Sequence, residues 1–141
     1  MVARKADAEW QGDLPSGSGK MSLGSGAYTG AYSFRSRFES GDGTNPEELI
    51  AAAHAGCFSM ALSHGLASAG HKPERVHTTA TVDLEKQGEG FAITRIRLVC
   101  EARVPGIDET TFKQQAETAK TGCPVSKALS ATPIELDARL L

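Results

Sequence analysis

The stretch Thr44 to Gly70, TNPEELIAAAHAGCFSMALSHGLASAG, is the strongest helix signal in the chain and decides its architecture. Asn45 suits an N-cap, Pro46 suits the first helical position, and Glu48 follows Asn45 at the spacing of a capping box. Glu47 and Glu48 sit where the helix dipole favours negative charge. Gly70 is the expected C-terminal stop. The apolar residues keep to no single stripe. Leu49, Ile50, Ala51, Ala52, Ala53, Ala55, Phe58, Met60, Ala61 and Leu62 run most of the way round the helix. A helix that is apolar all round is buried all round. A chain of 141 residues offers few other elements to cover it. A second copy would do so, and the pattern predicts a homodimer.

The flanking sequence reads as strands before this helix, and strands and short helices after it. Glu9-Trp10-Gln11 is a short first strand. Pro15 to Gly30, rich in glycine and serine, reads as loops between short strands. Ala31 to Phe38, AYSFRSRF, alternates: Tyr32, Phe34 and Phe38 share one face, and Ser33, Arg35 and Arg37 the other. That pattern predicts a strand with an aromatic side and a basic side. After the helix, Val76, Thr78, Ala80, Val82 and Leu84 alternate with polar residues. So do Ala92, Thr94, Ile96, Leu98, Cys100 and Ala102, beyond the Gly88-Glu89-Gly90 turn. A hairpin with one wet face follows. Asp108 caps a helix with Phe112, Ala116 and Ala119 on one face. Gly122 ends it, Pro124 opens a short helix through Ala128, and Ile134 to Leu140 alternates as a last strand. The expectation is one α+β domain over residues 1–141, with antiparallel sheets around a long buried central helix.

Composition narrows the function. Charged residues make up 23% and hydrophobic residues 40%, with a formal net charge of −2. This is globular composition, and near-neutral charge argues against a nucleic-acid footprint. No uninterrupted apolar run reaches the roughly 18 residues of a membrane span, so no membrane partner is expected. The first residues lack the apolar stretch of a signal peptide. Three cysteines are too few, and odd in number, for a secreted disulfide framework. The expected compartment is the cytoplasm.

The cysteines carry the chemistry. Cys100 shares its strand face with Leu98 and Ala102 and reads as a small core hydrophobe. Cys123, in Gly122-Cys123-Pro124, takes an N-cap position. There it is either a capping accident or a thiolate stabilised by free backbone N–H groups and the helix dipole. Cys57 lies mid-helix, where the amides are already paired, so it needs another activator. Arg37 offers a permanent charge, and Glu47 could hold its planar fork. Glu47 and Cys57 are ten residues apart, about 15 Å along a straight helix. Either the helix breaks or Glu47 serves the Cys57 of another subunit. His54, one turn before Cys57, makes a His-x-x-Cys pair. It is a zinc half-site without its other two ligands, a Cys–His nucleophile pair, or a histidine buried at a helix contact.

The run from Thr44 to Leu62, together with Gly122-Cys123-Pro124-Val125-Ser126, resembles the signature of the OsmC/Ohr family of peroxide-reducing proteins. Gly90-Phe91-Ala92-Ile93-Thr94, Val104-Pro105-Gly106-Ile107-Asp108 and Trp10-Gln11-Gly12-Asp13 resemble its OsmC branch. The resemblance spans nearly the whole chain. It implies an α+β fold working as an intertwined homodimer with two central helices back to back. It also implies reduction of organic hydroperoxides through a pair of cysteines, in stress defence. By this resemblance Cys57 matches the peroxidatic cysteine, Cys123 the resolving cysteine, Arg37 the activating arginine and Glu47 its carboxylate partner. Arg35, on the same predicted strand face, competes with Arg37.

The implied cycle is thiol chemistry. The Cys57 thiolate attacks the peroxide and becomes a sulfenic acid, Cys123 closes a disulfide, and a dithiol reductant reopens it. No cofactor and no metal is expected. Apolar walls from Leu49, Phe58 and Met60 would favour alkyl peroxides over hydrogen peroxide. Two other readings differ in class: a Cys–His hydrolase using Cys57 and His54, and a non-enzymatic thiol redox sensor.

Overall fold

The computed structural model describes residues 1–141 and divides into two compact units, residues 1–49 and residues 50–141. In the first unit, β1 (Ala6–Gln11), β2 (Ser18–Leu23) and β3 (Thr29–Tyr32) form an antiparallel sheet in that order. The expected first strand is therefore three residues longer than Glu9-Trp10-Gln11, and β2 occupies part of the stretch expected to be loops. Gly19 explains its glycine content. The Trp10 and Tyr32 rings pack with centroids 5.3 Å apart. A Cβ on Gly19 would lie 2.6 Å from Tyr32 and 2.8 Å from Trp10. Here glycine is a flat floor for cross-strand aromatics.

The strand expected over Ala31 to Phe38 is not formed. The chain leaves β3 at Tyr32, and residues Phe34–Phe38 form a short helix, α1. Ser33 caps it: its hydroxyl accepts from the Ser36 amide, and the Ser36 hydroxyl accepts from the Ser33 amide, a reciprocal capping box. The alternation misleads because residues four apart share a face in both a strand and a helix. Phe34 and Phe38 do stack, at 4.9 Å, but as helical neighbours.

The long helix α2 (Pro46–Ser68) runs unbroken for 23 residues, about 34 Å. The Asn45 side chain accepts from the Glu48 amide at 2.8 Å. The other half of the expected capping box is replaced, because the Glu48 carboxylate accepts from the Thr44 hydroxyl at 2.6 Å instead. Gly70 terminates the helix region with φ +90°, and His71 N–H reaches back to the Leu66 carbonyl at 2.8 Å. By length and composition alone α2 could cross a membrane, but a core helix passes the same test.

In the second unit, β4 (Arg75–Gln87) and β5 (Gly90–Arg103) make the expected hairpin, with a bulge opposite Asp83/Leu84. Then come α3 (Glu109–Gly122), capped by Asp108, α4 (Pro124–Ala128), and β6 (Ile134–Leu140). β6 pairs with β5 in parallel, Leu98 opposite Leu136 and Cys100 opposite Ala138, so the antiparallel expectation fails at this one ladder. The two-helix crossover through α3 and α4 brings the chain back in the direction it left, as parallel neighbours require.

The core lies in this unit. Phe58, Leu62 and Leu66 of α2 pack with Ile96, Leu98, Cys100 and Ala102 of β5 and with Phe112, Ala116 and Ala119 of α3. Cys100 is a core hydrophobe, as read. The helix is not buried all round within one chain. His54, Phe58, Leu62 and Leu66, spaced by four, are fully buried, while Ala52, Ala53 and Gly56 are exposed and Met60 is 76% exposed.

Leu62→Ala should lower stability by about 2–5 kcal/mol through the lost burial and the cavity left behind. The check is the urea midpoint at constant slope. A loss under about 1 kcal/mol would mean that this stripe is not the core.

Candidate active site

Two separate arrangements of candidate residues are present, one in each unit. In residues 1–49, Arg37 and Glu47 form a forked ion pair. Arg37 Nη2 donates to Glu47 Oε1 at 2.7 Å, and Nε donates to Oε2 at 3.2 Å. The sequence builds this meeting locally. The Ser36 hydroxyl donates to the Thr44 carbonyl at 2.7 Å, and the Asn45 side chain donates to the Ser36 carbonyl at 2.9 Å. These bonds tie α1 to the head of α2, so Arg37 faces the first turn of that helix. Gly43, at φ +111°, makes the turn between them, and a Cβ there would meet the Ala31 carbonyl oxygen at 2.6 Å. Glu47 is buried, while the Arg37 side chain keeps 36% exposure and lies 5.3 Å from the Phe38 ring centroid. Arg35 points elsewhere, to Glu39 at 3.6 Å on the open surface.

In residues 50–141, Cys57 of α2 meets Cys123, which closes α3 and caps α4. Their sulfurs are 2.7 Å apart and both thiols are free. Cys57 is half-buried and Cys123 is fully buried. Cys123 has no closed capping hydrogen bond, yet the Val125 and Ser126 amides and the Ser126 hydroxyl act on its sulfur. Burial pushes the Cys123 thiol up. The Cys57 thiol, the Ser126 amide and hydroxyl and the Val125 amide outweigh burial, and the net direction is down. Cys57 goes the other way. Burial raises it, the shared hydrogen with Cys123 raises it further, and only the Val125 amide opposes. Residues 50–141 supply no cation to Cys57.

His54 is fully buried, with Nε2 2.7 Å from the Ser126 hydroxyl and Nδ1 without a partner. It is bonded to Ser126, not to Cys57, which takes away the pairing a Cys–His nucleophile needs. Ser126 has little signal in the sequence. Its one clue is the third helical position after Cys123, where a side chain can turn back toward the cap. The expected apolar wall does not form within this unit. Phe58 is sealed in the core while Met60 is exposed.

A family profile described as OsmC-like protein matches residues 39–138. The chain belongs to the OsmC-like family. Over 140 residues it is 51% identical to a protein of Escherichia coli strain K12 named peroxiredoxin OsmC, covering 99% of this chain and 97% of the relative. It is 37% identical over 91 residues, 62% of the chain, to an organic hydroperoxide resistance protein of Xanthomonas axonopodis pv. citri. The solved structure of an organic hydroperoxide resistance protein OsmC from Legionella pneumophila superposes with a TM-score of 0.69 at 23% identity. That match covers 99% of this chain and 98% of the other, and it supports the OsmC-like α+β fold.

Burial lowers the pKa of His54 below its ordinary 6.5, so the folded chain binds this proton less readily than the unfolded chain. Stability should be full above about pH 6.5 and should fall as pH drops through that value. The slope is at most about 1.4 kcal/mol per pH unit. Urea midpoints at pH 7.5 and 5.5 for the parent and for His54→Gln check this. An equally steep fall in the variant would remove His54 as the cause.

Proposed function

We propose that this chain is a cysteine-based peroxidase that reduces organic hydroperoxides to alcohols. In this reading Cys57 is the peroxidatic residue and Cys123 the resolving residue. The observation that carries the reading is the contact between two free thiols of unequal access. A hydroperoxide can reach half-buried Cys57 but not sealed Cys123. The Cys57 thiolate attacks the distal peroxide oxygen, an alcohol leaves, and a sulfenic acid remains. Cys123 then attacks that sulfur and water departs. The 2.7 Å separation supports closing this disulfide with little rearrangement. A dithiol reductant restores both thiols by exchange. The names of the relatives support an organic hydroperoxide as the substrate. Three free cysteines fit a reducing compartment, and we assign the chain to the cytoplasm.

We propose further that the working unit is a homodimer. Cys57 needs a cation that its own unit does not supply. Arg37, held by Glu47, is that cation, contributed by a second copy. The exposed strip Ala52, Ala53, Gly56 and Met60 on α2 is small and apolar, suited to close packing against its own image.

Cys57→Ser should abolish turnover of cumene hydroperoxide with a dithiol reductant. Cys123→Ser should still consume one equivalent but form no intramolecular disulfide. Arg37→Gln should slow Cys57 oxidation about ten- to a thousandfold, since an adjacent charge moves a pKa by roughly 1–3 units and each unit is tenfold in thiolate. Full activity of Cys57→Ser in stopped-flow peroxide consumption would sink the proposal. Met60→Glu should move the sedimenting mass toward the 14.8 kDa of one chain and cut turnover, with its free thiols unchanged. An unchanged dimer mass would show that this strip is not the interface.

A further inference from the structure

His54 is, with Ser126, one of two buried polar residues of the second unit that the cycle above leaves unused. It lies on the core stripe of α2, in line with Phe58 and Leu62, where a leucine would pack without leaving a polar atom unmet. Its Nε2 meets the Ser126 hydroxyl at 2.7 Å, and its Nδ1 has no partner. Ser126, itself buried, stands three residues after Cys123 in the first turn of α4, where its hydroxyl acts on the Cys123 sulfur, and Cys123 touches Cys57. Four side chains thus form one row, His54, Ser126, Cys123 and Cys57, and only the last is open to solvent.

The row matters for the second chemical step. When Cys57 is a sulfenic acid, it no longer shares a hydrogen as a thiol partner. Cys123 must then lose its own proton to become a nucleophile. It has no access to solvent, so bulk water cannot take that proton directly. We propose that His54, acting through Ser126, is the positioning residue that receives the Cys123 proton during disulfide closure. The Cys123 S–H bond breaks, its proton passes to Ser126 Oγ, and the Ser126 proton moves to His54 Nε2. The freed electron pair of Cys123 forms the S–S bond, and the Cys57 S–O bond breaks. Hydroxide leaves and takes back the proton through Ser126 as water. Cys123 sulfur is oxidised and Cys57 sulfur reduced by the same two electrons, so no outside redox partner enters.

The surroundings suit the role. Burial alone shifts His54, and it shifts it down, so the ring is neutral and free to accept near pH 7. Lys120 of α3 and Lys127 of α4 share a cavity wall with Ser126, but burial and not either ammonium shifts His54.

This inference rests on the two-cysteine reading, so the test separates the two steps. The reduced full-length protein is mixed with one equivalent of cumene hydroperoxide. Sulfenic acid is trapped with a dimedone-type probe, and disulfide closure is followed by quenched mass spectrometry from pH 5.5 to 9. Formation of neither a Cys57 sulfenic acid nor a Cys57–Cys123 disulfide in the parent would defeat the peroxidase reading itself. With that acid formed, Ser126→Ala and His54→Gln should each slow closure at pH 7 by about a hundredfold, the scale of a positioned proton acceptor. The deficit should shrink as pH rises and hydroxide removes the thiol proton. Ser126→Thr, which keeps the hydroxyl, should restore closure. Parent-like closure in both variants, or a slowing equal at every pH, would overturn the inference.

Discussion

The rotation of α2 about its own axis is the constraint on which the cysteine pair depends. His54, Phe58, Leu62 and Leu66 recur every four residues and are all fully buried. Residues at that spacing stand one above another on a helix, so packing the three apolar members against β5 and α3 leaves no freedom in the angle of the fourth. Cys57 is one residue off the stripe. It therefore sits on the shoulder of the helix, partly open, beside the junction where α3 ends and α4 begins. Had the stripe fallen one residue earlier, Cys57 would be sealed in the core and no peroxide could reach it. Ordinary hydrophobic burial thus does the positioning, and the sulfur chemistry depends on it.

The junction is held by equally plain means. Phe112, Ala116 and Ala119 anchor α3 in the same core, and Pro124 starts α4 at once. Cys123 is both the end of one helix and the cap of the next. A capping residue points its side chain at free amides, and here those amides belong to Val125 and Ser126. The consequence is electrostatic. Of two sulfurs sharing one hydrogen, the one facing the helix start holds the negative charge more easily. Within residues 50–141, that is the buried sulfur rather than the accessible one.

The sequence made the α2 helix, the β4–β5 hairpin and the core positions of α3 legible, because each has a clean period and a recognisable cap. Local context set aside Cys100 on its strand face and left Cys123 open between a capping accident and a stabilised thiolate, so the pairing of Cys57 with Cys123 came from the resemblance to the OsmC/Ohr family. Other features stayed hidden for identifiable reasons. Helical and strand periods coincide at Phe34 and Phe38, and only the reciprocal bonds of Ser33 and Ser36 break the tie toward a helix. The role of Gly19 depends on two rings from other strands. The parallel pairing of β6 depends on where a crossover lands. Ser126 depends on a histidine 72 positions away. Each of these is a non-local relation, and spacing along the chain does not encode it.

The proposed dimer draws one group from each unit. Residues 1–49 contain a guanidinium fixed by a buried carboxylate, with no thiol among them. Residues 50–141 contain two free thiols in contact, and no cation of that unit acts on the accessible sulfur. A guanidinium forked onto one carboxylate still has donors to offer, and 36% exposure leaves the Arg37 side chain open to a further partner. In the proposed dimer that partner is Cys57. Placing the cation beside Cys57 would reverse the preference set by the α4 amides and move the charge onto the sulfur a peroxide can reach. Once Cys57 is oxidised its negative charge is gone, and the amides facing Cys123 again favour a thiolate there. The same pair of fields, one from an arginine and one from a helix start, would then favour each sulfur in the order the reaction uses them.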